Sequence, residues 1–150
     1  MKLAHILSTI LFGSLFQLAA HAADFSTPEN AVRSLEAAYI NKNLEAAVEA
    51  KDFANEAKLM LNKIKPDFAN NPNILKQTSE VLELAFRKEM KEKGFPDFSN
   101  LKCSINELQN ISSSLVKLTE TCVFPDGDNS VQDLYVSKSD KGWRVVNVPH

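Results

Sequence analysis

The sequence predicts an α+β domain, in which N-terminal helices pack on one face of an antiparallel sheet. Two patterns indicate this class. Apolar residues recur every three or four positions as far as residue 93, and from residue 101 onwards they alternate with polar ones. Because the helical segments come first and the strand-like segments follow, separate layers are favoured over alternating strand and helix units.

Residues 1–22 have the pattern of a secretory signal peptide. One positive charge at Lys2 precedes a largely apolar stretch, and small residues lead to an expected cleavage between Ala22 and Ala23. The alternative is an uncleaved membrane anchor, because the apolar stretch is nearly long enough to span a bilayer. Cleavage is favoured because polar residues dilute that stretch. The mature domain is then residues 23–150, expected in the periplasm or secreted and free of the membrane.

The first two helices are marked by their caps. Thr27 is the expected N-cap of the first helix, and Pro28 suits its first position. Asn43 is expected to cap a second helix, which continues or kinks as far as Leu61. The apolar positions of both helices are expected to face the core.

A loop is predicted over residues 64–72, followed by the longest helix at about 72–93. Asn71 can cap that helix at its start, and Gly94 lies where a glycine commonly ends one. Lysines crowd its last turn, where they complement the helix dipole.

Four strands are expected after these helices, separated most clearly by turn-forming residues at 125–128 and 139–142. Leu108 falls out of the alternation of the first strand, which predicts a bulge near residues 106–108. Trp143 opens the last strand and is expected to pack on the first helix. The predicted strand ranges are 101–109, 114–124, 130–138 and 143–148.

Cys103 and Cys122 are the only two cysteines, and in an exported chain they are expected to pair. If the hairpin turns at Ser112 and Ser113, the two cysteines face each other across neighbouring strands. A redox-active or metal-binding thiol pair is the alternative. It is disfavoured because the C-x-x-C spacing and a nearby histidine are both missing.

The charge balance argues against nucleic acid as a partner. Without Lys2, 16 basic side chains stand against 19 acidic ones, whereas nucleic-acid binders usually carry a basic excess. The densest basic segment, residues 87–93, is interleaved with glutamates and fits the solvated end of a helix.

Both ends of the mature chain resemble a known superfamily. Residues 27–32 (TPENAV) with 44–47 (LEAA), and the closing segment 137–146 (SKSDKGWRVV), are similar to the opening helices and final hairpin of nuclear transport factor 2-like proteins, most of all small exported bacterial members. The resemblance implies a strongly curved sheet wrapped around helices into a cone with an internal pocket. It also implies a strand pair where residues 52–61 of this chain have a helical pattern.

Catalytic and cofactor motifs are not recognisable in the mature chain. Its single histidine is the terminal His150, which disfavours a histidine-dependent triad or zinc site. The three mature glycines fit turns rather than a phosphate-binding loop. We therefore expect no cofactor, no metal and no catalytic residue, and favour a non-enzymatic protein.

Enzymes of the resembled superfamily use a buried carboxyl base with tyrosine or acid donors. The carboxyls that could point into such a pocket are Glu107, Glu120 and Asp133, with Tyr39 and Tyr135 as donors. None matches a catalytic motif, and Glu120 and Asp133 are expected to face solvent among polar neighbours.

Two functions follow from these observations. The favoured one is binding of a protein partner, for example as an immunity-type inhibitor of a toxin that acts on the cell envelope. The alternative is a carrier of a small apolar ligand, or a weak lyase or isomerase, that uses the pocket of the cone. The sequence does not distinguish a monomer from a homodimer. The side chains expected to line such a pocket are Tyr39, Met60, Phe86 and Trp143.

Overall fold

The computed structural model describes residues 22–149, and the predicted signal peptide lies outside them except for Ala22. Within residues 22–149, five helices precede four strands, which confirms the predicted α+β class. The helices are α1 (Pro28–Ile40), α2 (Leu44–Glu49), α3 (Phe53–Ile64), α4 (Pro66–Ala69) and α5 (Pro72–Lys93). The strands are β1 (Lys102–Ser112), β2 (Leu115–Val123), β3 (Asn129–Ser139) and β4 (Gly142–Val146).

The predicted caps explain where the helices begin. Thr27 accepts a hydrogen bond from the Asn30 backbone at the start of α1, and Asn43 and Asn71 do the same for α2 and α5. Each cap satisfies a backbone N–H that the helix itself leaves without a partner. Gly94 ends α5 with φ +83°, as its position predicted.

The predicted second helix is broken into α2 and α3. Lys51 forms a parallel bridge with Val145 at the outer edge of β4. The Asp52 backbone N–H donates to the Val145 carbonyl, and the Val145 N–H donates to the Ala50 carbonyl, both at 2.9 Å. These bonds satisfy the backbone N–H and carbonyl of Val145 on that edge strand, and they compete with a continuous helix.

The predicted loop at 64–72 also contains one turn of helix, α4. Pro66 occupies its first position and Asp67 its first turn, and both residues favour a helix start. The prediction missed this short helix because a single turn has too few residues to show a helical period.

The four strands form one antiparallel sheet in the order β1-β2-β3-β4. Cys103 pairs with Cys122, as predicted, although the hairpin turns one residue later than expected. Two register shifts, between Ile105 and Glu107 and between Asn110 and Ser112, absorb the difference. The predicted bulge is therefore present, and it lies at Asn106.

The core lies between α1 and one face of the sheet, which we call the core face. Ala31 and Val32 of α1 are buried against aliphatic side chains of the central strands, and Trp143 packs beside them. The central strand β2 alternates buried and partly buried residues along its length, as a strand with one covered face does. The aliphatic residues of this cluster on the sheet are Val116, Leu118, Val136 and Val145.

The long helix α5 lies against α3, α4 and α2. None of its 22 residues is buried. Its partly covered side includes Phe86, whose ring lies 5.7 Å from that of Phe53. Val81 and Leu84 on another side are 63% and 66% exposed. The apolar stripe of α5 is therefore only half covered.

Within residues 22–149, none of the helices combines the length and the apolar character that a membrane span needs.

Gly142 is the glycine that the packing requires. A Cβ there would lie 2.6 Å from the Phe25 carbonyl oxygen, and its φ is +94°. We expect Gly142→Ala to lower the free energy of unfolding by about 1–3 kcal/mol, because the backbone is strained and Phe25 must move. Urea denaturation measures the loss. Gly127→Ala is the matched control, since its φ is +92° but its Cβ would meet nothing within 4 Å. Equal losses for the two variants would show that the Phe25 contact has no effect.

Candidate functional site

A partly buried polar cluster lies between α1 and β2 on the core face. The Arg33 guanidinium reaches two carboxylates with the same nitrogen: Nη1 lies 2.5 Å from Glu36 Oε2 and 2.9 Å from Glu120 Oε1. Gln132 of β3 donates to the other oxygen of Glu120 at 2.9 Å. We call Arg33, Glu36, Glu120 and Gln132 the acid cluster.

The placement of Glu120 corrects the prediction. Its side chain is 0% exposed, whereas the sequence predicts that it faces solvent. Glu120 has the same strand parity as Leu118 and Cys122, so the alternation of β2 carries it onto the core face. A carboxylate is tolerated there because Arg33 and Gln132 together occupy both of its oxygens.

Glu36 is the unusual member of the acid cluster. Burial first, and then the neighbouring Glu120 carboxyl, raise the pKa of Glu36 to about 7, although Arg33 opposes this. Its Oε1 is buried without a hydrogen-bond partner among the described residues. A carboxyl with such a pKa exchanges its proton near neutral pH, which is the property required of a general acid or base.

The disulfide lies beside this cluster. Cys103 and Cys122 are bonded across β1 and β2, with Cα atoms 4.0 Å apart. Arg33 donates to the Cys103 carbonyl at 3.3 Å. The Glu120 carboxylate and both sulfur atoms lie within 4.8 Å of one another. Because the sulfur atoms are joined, they offer no thiolate to a metal ion.

A second buried ion pair fixes the start of α3 to the end of β4. Lys51 Nζ lies 3.0 Å from Glu56 Oε2, and both side chains are nearly inaccessible. The Asn147 backbone N–H also donates to this carboxylate at 3.0 Å. Burial lowers the pKa of Lys51, and Glu56 partly offsets the shift. One cation here meets one anion, so this pair is balanced and structural.

The four predicted pocket residues lie in separate contacts. Tyr39 packs against Phe95 and Phe98, each ring 6.1 Å away. Phe86 packs on Phe53, and Trp143 lies against the core of α1 and the sheet. Met60 is a half-buried residue of α3.

Tyr39 borders a small surface cavity of about 240 Å³ at the end of α1. Its wall also includes Lys42, Phe95 and Asp97. Burial raises the pKa of Tyr39 to about 12, so its hydroxyl stays protonated at any physiological pH. The other three predicted pocket residues do not border this cavity.

The other candidate catalytic residues, Asp133, Glu107 and Tyr135, have ordinary surroundings. Asp133 is on the other face of the sheet, where it accepts a hydrogen bond from Thr119 at 3.0 Å and lies 3.4 Å from Lys117. Glu107 is exposed on β1, and Tyr135 is half-buried on β3. Their surroundings give none of them a chemical role.

The sequence does not predict that Arg33 and Glu36 belong to a site. Two opposite charges three positions apart on a helix usually form an exposed surface pair, and nothing local shows that β2 brings a third charge to them. For Glu120 a signal existed, because its parity matches the buried positions of the strand.

No family model matches the chain, and no curated protein matches it. Among solved structures, it is similar to a protein from Campylobacter jejuni provisionally named as a nuclear transport factor 2-like transpeptidase. The two are 16% identical with a TM-score of 0.42, over 81% of this chain and 99% of that one. A nuclear transport factor 2-like protein of unknown function from Shewanella oneidensis is also 16% identical. Its TM-score is 0.46, over 79% of this chain and 90% of that one.

Proposed function

We propose that this protein is exported and acts without catalysis, by binding a protein partner through an apolar surface. An immunity-type inhibitor of a toxin that acts on the cell envelope is the concrete form of this proposal. The disulfide across β1 and β2 supports export, because such bonds persist in oxidising compartments.

The observation that carries the proposal is the half-covered helix α5. Val81 and Leu84 lie one turn apart and are among the most exposed large apolar side chains of the described residues. The charged residues around them are paired within the helix, Lys76 with Glu80 and Lys88 with Glu92. This surface is therefore apolar at its centre and balanced in charge at its rim, which suits a partner that buries aliphatic side chains.

The experiment is native mass spectrometry of the protein recovered from its own cell envelope, with Val81→Lys/Leu84→Lys as the test variant. A stoichiometric complex with a polypeptide that this variant loses would support the proposal, because a buried lysine without a partner charge opposes binding. Val131→Lys is the matched control, since Val131 is 65% exposed on the sheet.

Two results would decide against this surface or this function. If Val131→Lys loses the complex and the α5 variant keeps it, the partner binds the sheet instead of α5. If the protein is recovered only as an unpartnered monomer, the binding function is wrong. Denatured mass of the same sample tests the expected cleavage between Ala22 and Ala23.

A second candidate function rests on Glu36, which exchanges a proton near neutral pH beside the 38% exposed Arg33. A small-ligand carrier or a weak lyase or isomerase would use this carboxyl as its acid or base. A bound small molecule in the native spectrum, lost on Glu36→Gln, would favour this function over protein binding.

A further inference from the structure

The acid cluster contains one positive charge and two carboxyls. Arg33 and Glu36 come from α1, and Glu120 comes from β2. Among the described residues, β1 and β3 contribute only uncharged groups here, namely the disulfide, the Cys103 carbonyl and the Gln132 amide. With both carboxyls ionised, the cluster carries a net charge of −1, and the Glu36 and Glu120 side chains that hold the negative charges are only 13% and 0% exposed.

A shared proton resolves both the charge and the missing hydrogen bond. Two ionised carboxylates only accept hydrogen bonds, so neither can satisfy the other. Oε1 of Glu36 is buried and has no other partner among the described residues. If Glu36 is protonated, this oxygen can donate a hydrogen bond to the neighbouring Glu120 carboxylate. The cluster then holds one cation, one anion and one neutral acid, which is the balanced arrangement for a buried site.

We propose that Arg33, Glu36 and Glu120 form a proton-dependent latch that fastens α1 to the sheet. With the proton bound, α1 is tied to β2 through the arginine and a carboxyl–carboxylate hydrogen bond. Loss of the proton leaves two negatively charged carboxylates, Glu36 and Glu120, that share one guanidinium nitrogen of Arg33. That weakens the tie between α1 and β2. Since α1 covers the aliphatic core of the sheet, weakening it loosens the contact between the helical layer and the sheet.

The direction of the pH dependence follows from linkage. The pKa of Glu36 is raised from 4.5 to about 7 in the folded protein. A raised acid pKa stabilises the closed latch fully below pH 4.5, and the stabilisation is lost as the pH rises to 7. Above that pH, Glu36 is deprotonated in both the closed and the open states, so the stability of the latch no longer depends on pH.

The test combines two measurements on the full mature domain. A carbon NMR titration of the wild-type protein gives the midpoint of Glu36, expected near pH 7. Hydrogen exchange of the α1 amides, corrected for the intrinsic effect of pH, gives the opening of the latch. One linked proton increases opening by roughly tenfold per pH unit at most, and we expect a rise that levels off above pH 7.

Glu36→Gln removes the titrating group and should make the corrected exchange of α1 independent of pH. Glu80→Gln is the matched control on α5, where the side chain is 60% exposed, and it should keep the wild-type dependence. A Glu36 midpoint at the ordinary 4.5 would overturn the proposal. So would an unchanged pH dependence in Glu36→Gln. The wild-type titration decides the question even if that variant does not fold.

Discussion

Replacing Lys51 by methionine is expected to lower the free energy of unfolding by about 3–5 kcal/mol. The side chain is buried, and its Nζ lies 3.0 Å from the buried Glu56 carboxylate. Methionine fills a similar volume, so the main change is electrostatic: it leaves a buried negative charge without its cation, which is among the most costly single changes in a protein interior. Urea denaturation of Lys51→Met beside the wild-type protein measures the loss.

The double variant Lys51→Met/Glu56→Gln separates the effect of the unpaired Glu56 charge from that of the other contacts of Lys51. Glutamine keeps an oxygen for the Asn147 backbone N–H, which donates to Glu56 in the native protein, and it removes the unpaired charge. We expect the double variant to recover most of the lost stability. If it is as unstable as Lys51→Met alone, the loss comes from the contacts of the Lys51 ammonium with the rings of Phe53 and Phe86, whose centroids lie 5.8 and 5.9 Å from Nζ.

Removing the disulfide is expected to cost about 3 kcal/mol, the value for a closed loop of this length. Cys103 and Cys122 are 19 positions apart and hold β1 against β2. Alanine is the appropriate replacement, because serine would bury a hydroxyl beside the nearly inaccessible Cys122. Chemical denaturation of Cys103→Ala/Cys122→Ala measures the loss.

Reduction of the wild-type protein should produce a similar loss, whereas the double alanine variant should not respond to the reductant. The intact mass of the oxidised protein should be lower by two hydrogens than that of the reduced one. A reductant that destabilises both proteins equally would show that the effect does not come from this bond.

Local patterns were sufficient for the elements and for the cysteine pair. The caps at Thr27, Asn43 and Asn71 depend on bonds to backbone groups two or three residues away, so the sequence shows both partners at once. The pairing of Cys103 with Cys122 needed only a hairpin turn near residue 113. A one-residue error in that turn did no harm, because the two register shifts in β1, at Asn106 and between Asn110 and Ser112, restored the register.

The acid cluster depended on contacts that no local pattern contains. Arg33 and Glu36 form an ordinary pair on α1 until β2 brings Glu120 against them from far along the chain. The break between α2 and α3 likewise comes from the distant edge of β4, where Val145 binds the backbone of residues 50–52. In both places the deciding partner is remote in sequence.

By itself, the sequence determined the order of the helices and strands, the parity that gives β2 one buried face, and the opposition of the two cysteines. These features repeat with the period of a helix or a strand, so their physical cause lies within a few residues. The tertiary structure alone decided that Arg33 contacts two carboxyls, that Lys51 forms an ion pair with Glu56, and that α5 is only half covered. Charge balance and burial depend on which elements meet in space, and that is decided only when the chain has folded.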